Sequence, residues 1–202
     1  MARIDGRERV EAVVVRDLDS GNVSRIECDT VVMTGDWIPD NELARSAGIE
    51  LDPSTLGPVV DGALRTGAPG VFAVGNVLHP VDTADVASLD GTHVVAAVVD
   101  WLHKGTARRG VRVAADASLR WITPQYVEPG AAPPARDRLL AWCDEFVSFP
   151  VVEVRQGGSV VSRRRLSWPA APGRVFRIPA SVLDGVDVTG GPVEIGLQRR
   201  GR

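Results

Sequence analysis

Between Val71 and Leu102 the hydrophobic pattern changes period, and that change limits the folds open to the chain. Val71-Phe72-Ala73-Val74-Gly75 is a short apolar run closed by glycine, which reads as a brief strand. A second short strand, Val59-Val60-Asp61, precedes it across the turn segment Thr66-Gly67-Ala68-Pro69-Gly70. From about Asp85 to Leu102 the period becomes helical: Val86, Leu89, Val94, Ala97, Val98 and Leu102 approximate one apolar face, and Gly105 stops the helix. Asp82, Asp85 and Asp90 lie in or near the first turns, where the helix dipole favours negative charge, and they read as capping groups rather than acid/base carboxylates. Two short strands thus lead into the best helix of the sequence.

Upstream, residues 8 to 35 are strand-rich. Val10, Ala12 and Val14 alternate with Glu11, Val13 and Val15, and Asp19-Ser20-Gly21-Asn22 supplies a hairpin turn before a return strand through Ile26. Thr30-Val31-Val32-Met33-Thr34-Gly35 is a continuous apolar run of the kind buried on both faces of a sheet. Asn41 to Ala47 predicts a short helix, with Asp40 as a cap and Gly48 just past its end.

After a boundary placed near residues 105 to 112 the character changes. A Pro/Ala segment, Pro129 to Pro134, precedes a predicted amphipathic helix from Arg136 to Asp144. Strands then dominate: Val151–Val154 and Ser159–Ser162 flank Gln156-Gly157-Gly158, and Arg174–Ile178 and Val193–Leu197 follow. Trp121, Tyr126, Trp142, Phe146, Phe149, Trp168 and Phe176 suit the core of a sandwich-like β module. Arg163-Arg164-Arg165 reads as a solvated strand edge that blocks further pairing.

Composition excludes several classes. The 202 residues carry a net charge of −3, with 44% hydrophobic and 24% charged side chains, the profile expected of a soluble globular protein and not of a nucleic-acid binder. No apolar stretch reaches the roughly 20 residues of a membrane span. The N-terminus lacks the apolar run of an export signal, so a cytoplasmic location is expected. Cys28 and Cys143 are too few and too far apart for a disulfide framework or a cysteine-built zinc site, and read as small buried groups. The histidines form no metal motif. His79 reads as an exposed loop residue, and His93 and His103 as surface groups of the helix.

The string Leu64-Arg65-Thr66-Gly67-Ala68-Pro69-Gly70-Val71-Phe72-Ala73-Val74-Gly75-Asn76, with the helix after it, resembles the second FAD motif of the pyridine nucleotide-disulfide oxidoreductase family. That motif reads Thr, a few residues, then Gly-Val-Phe-Ala-x-Gly-Asp. Asp29 to Asp40 is similar to the last strand of the family's nucleotide domain. The resemblance covers about residues 8 to 105. It implies an α/β, partial two-dinucleotide-binding (Rossmann-like) flavoprotein fold over residues 1–105, the trailing parts of NAD(P)- and FAD-binding domains, followed by a β-rich domain over 106–202.

The same resemblance implies cofactor-binding roles for Thr66, Gly75, Asn76, Asp85 and Val86. Gly75 lets backbone approach a cofactor. Asn76 stands where the family has Asp and can donate and accept hydrogen bonds toward the flavin's sugar-alcohol chain. Matching the family's helix glycine to Gly91 sets Asp85 and Val86 beside the pyrimidine edge, where an acidic Asp85 opposes an anionic reduced flavin. Read without the family, Gly75-Asn76 is an ordinary strand-to-loop turn.

The Gly-x-Gly-x-x-Gly turns that hold the FAD and NAD(P) pyrophosphates are absent from these residues, as is a redox cysteine pair. The expectation is therefore the C-terminal portion of a flavin-dependent oxidoreductase that passes hydride between NAD(P), FAD and a substrate other than a disulfide. Amine, amino-acid or opine-type oxidases are the nearest branch. It is expected to be a truncated piece or one product of a split gene, inactive alone and completed by an N-terminal FAD-binding segment or by a partner chain that carries one. The alternative is a non-catalytic interaction module whose nucleotide-binding segment is a degenerate remnant.

Overall fold

A computed structural model describes residues 1–33, 38–80, 83–128 and 133–198. It divides into two compact units, Met1–Asp36 and Trp37–Arg202.

In the first unit β1 (Arg3–Asp5), β2 (Ala12–Arg16) and β3 (Val23–Glu27) form an antiparallel sheet with β2 in the middle. The alternation expected around Val14 holds: Ala12 and Val14 are buried, whereas Val13 and Val15 are only half-buried. The β2–β3 turn is tied by Asp17, whose Oδ1 accepts from the Ser20 N–H at 2.7 Å and the Asp19 N–H at 3.1 Å. β1 was not foreseen; its mixed-charge residues hide a pairing in which Arg3 faces Val14. The buried strand expected over Thr30–Gly35 is corrected for residues 30–33, which join no ladder and leave Val32 80% exposed. A strand buried on both faces needs neighbours and two covering layers, and among the described residues this segment has no strand partner. Thr34, Gly35, Asp36 and Trp37 lie outside the described residues.

The second unit opens with α1 (Glu42–Ser46), followed by Gly48 at φ +71°. Asp40 accepts weakly from the Glu42 N–H at 3.4 Å. Asn41 turns inward, donating from Nδ2 to the carbonyls of Leu56 at 2.9 Å and Val77 at 3.1 Å. Val59–Asp61 and Val71–Gly75 do not form ladders. They make isolated bridges, Asp61 beside Tyr126 and Arg65 opposite Phe72, and Gly75–Val77 is a 3₁₀ turn. A small core of Val60, Leu64, Ala73 and Leu78 lies under them.

α2 (Ala84–Lys104) forms as expected and ends at Gly105 in the left-handed conformation, φ +64°. Its inward face is narrower than the apolar pattern suggested: Leu89 and Leu102 are exposed, while Asp90 and Ala97 are buried.

The remaining strands are β4 (Val111–Ala115), β5 (Trp121–Thr123), β6 (Tyr126–Val127), β7 (Arg138–Trp142), β8 (Val151–Gln156), β9 (Ser159–Arg165), β10 (Phe176–Pro179) and β11 (Val193–Leu197). One sheet has the order β6-β4-β11-β8-β9, antiparallel except for β4 with β11; the other has the order β10-β7-β5. Their inward residues share one core, including Val113, Ile122, Leu139, Val152, Phe176, Ile178 and Ile195. The β8–β9 hairpin turns on Gly157 and Gly158, at φ +58° and +82°, as its sequence implied. β9 is an edge strand, and its arginines are exposed.

The helix expected over Arg136–Asp144 is instead the middle strand β7. Arg136 and Asp137 have positive φ, 60° and 55°, which starts no helix, and Leu139, Leu140 and Ala141 are buried between β10 and β5. Among the expected core aromatics, Trp121 and Phe176 are buried, Tyr126 and Trp142 half-buried, and Phe146, Phe149 and Trp168 exposed. The mixed sheets and few helices fit an α/β nucleotide-binding fold at this level. The sequence boundary near 105–112 falls between α2 and β4, and contacts cross it: the Val60 N–H donates to Gln125 Oε1, and the Val60 carbonyl accepts from the Gln125 and Tyr126 N–H groups. Among the described residues no helix is long and apolar enough to cross a membrane.

Candidate functional site

Thr66 is buried and closes the turn that carries the motif. Its N–H and hydroxyl both donate to the Val71 carbonyl, at 3.0 and 2.9 Å, and its oxygen accepts from the Ala68 N–H at 3.2 Å. Past Ala73, whose N–H reaches the Leu64 carbonyl at 3.1 Å, the chain leaves extended geometry at Gly75. Gly75 is buried with φ +70°, and a Cβ there would stand 3.1 Å from the Ala87 Cβ on α2. Its N–H donates to Asp90 Oδ2 at 3.3 Å. Packing against the helix therefore explains this glycine without a ligand.

Asn76 follows, half-buried in the 3₁₀ turn. Asp85 is exposed in the first turn of α2. Its carboxyl is held below the usual carboxylate range, first by the Thr83 hydroxyl and then by the N–H groups of Asp85 and Val86, with a smaller contribution from the positive charge of Arg177. Val86 is half-buried, and its carbonyl accepts from Arg136 Nη1 at 3.3 Å.

Gly75, the start of its 3₁₀ turn and the first turns of α2 thus form one corner, with Asn76, Asp85 and Val86 placed around it. Thr66 is not part of it. Its loop packs near the other end of α2, where a Cβ on Gly70 would meet the Trp101 ring at 2.6 Å. Ala87 and Trp101 are about 20 Å apart along the helix at ~1.5 Å per residue. Thr66 serves the motif as a loop staple.

The sequence reading makes Asp90 a helix-start cap and assigns Arg136 no place at the site. Asp90, 2% exposed, accepts from Gly75 N–H through one oxygen and from Arg136 Nη1 through the other, at 2.5 Å. It is no terminal cap but the buried anion of the corner. One signal was available: Asp90 shares a helix face with Val86, Val94 and Ala97, so its position predicts burial. Nothing local marks Arg136, which arrives from the start of β7. His79, expected on the surface, is 1% exposed and lies against Trp121 with ring centroids 5.1 Å apart. Its ring Nδ1 lies 3.1 Å from the Pro80 carbonyl oxygen.

A flavin edge can be tested against this corner. The helix-terminal N–H groups that would meet a ring carbonyl are engaged by Asp85, an exposed side chain. With Asp85 turned away, the Asp85 and Val86 N–H groups and the Asn76 amide would hold the cofactor, which supplies hydride transfer when bound. Among the described residues no group of three or more His, Cys, Asp or Glu could hold a metal ion.

Residues 1–91 match the family described as pyridine nucleotide-disulphide oxidoreductase. The chain is also similar to a ferredoxin–NADP reductase of Picrophilus torridus, 26% identical over 88 residues, which make up 44% of this chain and 24% of that protein. The chain thus spans about a quarter of the length of the curated relative it matches.

Proposed function

We propose that the chain, whose residues 1–91 match the pyridine nucleotide-disulphide oxidoreductase family, is part of a flavin-dependent oxidoreductase that exchanges hydride between NAD(P), FAD and a substrate other than a disulfide. The observation that carries this reading is the Gly75–Asn76 corner set on the first turns of α2, inside the segment that matches the family. Helix N–H groups and the positive end of the dipole suit the charge that develops on a reduced flavin ring. With no Gly-x-Gly-x-x-Gly turn in these 202 residues, tight FAD binding requires a second polypeptide segment that carries one. Such a partner would cover apolar side chains exposed here, Val32 and Met33 among them.

The test is a flavin titration of the chain alone and of the chain supplied with an N-terminal segment or separate polypeptide that carries a Gly-rich nucleotide turn. The expected result is no tight binding alone and a stoichiometric yellow complex together, with Asn76→Leu lowering occupancy. A chain that is yellow by itself overturns the partner half of the proposal. A complex that excludes FAD, or one indifferent to Asn76→Leu, overturns the cofactor assignment.

A further inference from the structure

Behind the corner lies a cleft of about 660 Å³, within the size range of small-molecule sites. Three segments build it: the Asp61–Arg65 turn, the His93–Ala97 stretch of α2 and the Pro133–Asp137 entry to β7, with Arg109 on its wall. Small residues, among them Ala97 and Pro134, leave the floor open.

Its charges are unevenly committed. Asp61 is buried and saturated, Oδ1 accepting from the N–H groups of Ala63 and Arg65 and Oδ2 from the Arg109 N–H and the Arg65 guanidinium. Arg65 is further held by Asp100 at 3.6 Å. Among the described residues Arg136 uses only Nη1, toward Asp90 and the Val86 carbonyl, so Nε and Nη2 have donors for a ligand. Arg109 makes no side-chain ion pair among the described residues. His93 donates from Nε2 to the Gly62 carbonyl at 2.8 Å, which leaves Nδ1 facing its surroundings. Glu128 and Asp137 are the opposing carboxylates, both on exposed residues.

Arg136 and Asp137 are both left-handed, a conformation that side-chain-bearing residues rarely adopt in succession and that clusters at ligand sites. The pair aims the Arg136 side chain across to α2 instead of into solvent. We propose that this cleft binds a small oxyanion-bearing molecule, carboxylate or phosphate, between the unpaired Arg109 guanidinium and the spare donors of Arg136. Charge-assisted, planar donors recognise both groups by the same geometry. Since Arg136 also holds Asp90, and Asp90 holds Gly75 N–H, occupancy of the cleft is felt at the corner. The site stands whether or not the corner takes a flavin.

The test is an amide NMR titration of the 202-residue chain with succinate and, separately, inorganic phosphate. The expected result is saturable, millimolar binding of at least one, with shifts at Ala63, His93 and Arg109 and a smaller one at Gly75. Arg109→Gln should weaken it about tenfold, the loss expected of a charge-assisted contact. Arg136→Lys, which keeps the charge near Asp90, should weaken it while the melting temperature stays close to the parent's. Preference for one probe names the source of the oxyanion. Absence of saturation with both probes, affinity unchanged by both substitutions, or shifts confined to the Arg163–Arg165 edge overturns the proposal.

Discussion

Arg136 and Asp90, 46 residues apart in sequence, meet in an ion pair of 2.5 Å whose carboxylate is almost wholly withdrawn from water. The pair joins the β-rich module to α2, and through Asp90 to the backbone of Gly75.

Arg136→Met leaves that carboxylate buried without its cation and should cost about 3–5 kcal/mol. Asp90→Asn removes the charge but keeps one acceptor oxygen, for Gly75 N–H or for the guanidinium though not for both, so the loss should be smaller, about 1–3 kcal/mol. Urea unfolding of the two variants checks the order; equal losses would mean that the charge is not what matters there.

Gly70 and Gly158 share left-handed backbone, at φ +75° and +82°, but differ in surroundings. At Gly158 no atom lies within 4 Å of an added Cβ, so Gly158→Ala should cost about 1–2 kcal/mol of backbone strain alone. At Gly70 the added methyl would overlap the Trp101 ring at 2.6 Å, and overpacking adds about 1–3 kcal/mol. Thermal melts should rank Gly70→Ala clearly below Gly158→Ala, with altered Trp101 fluorescence in the former only.

Glu153 on β8 is 7% exposed and lies between two arginines. The Arg163 guanidinium on β9, at 2.6 Å, and then Arg155 hold its carboxyl below the ordinary value of 4.5. A depressed folded-state value makes this contribution complete above the unfolded pKa, about 4.3. It is lost as pH falls through the folded-state value. Urea midpoints should therefore drop on acidification below about pH 4.5 in the parent protein. They should drop less steeply in Glu153→Gln.

Cys143 is fully buried, and burial pushes its thiol up from 9.0, with the charge of Asp144 adding to the effect; Cys28 is partly exposed. A thiol-reactive chromophore should modify one cysteine in the native protein and two in denaturant. Cys28→Ser should remove the native reaction, and rapid modification of two thiols under native conditions would contradict the packing.

Much of this architecture is readable where local chemistry and final structure agree. The turns at Asp17–Asn22 and Gly157–Gly158 demand hairpins, and α2 carries both its period and its left-handed stop at Gly105. Leu139 to Trp142 is different. Four apolar residues in a row suit a helix face or a doubly buried strand, and only the flanking strands β5 and β10 decide between them. The corner divides in the same way. Gly75 and Asn76 stand in a local string, but the partner that fixes the buried Asp90 comes from a segment with no local mark of its role.

β11 lies between β4 and β8, parallel to the one and antiparallel to the other. A ribosome delivers those two flanking strands well before Val193–Leu197 leaves the exit tunnel, and among the described residues no other strand lies between them. The nascent module must wait with a slot at the centre of its larger sheet, closing only when β11 is threaded between partners made long before.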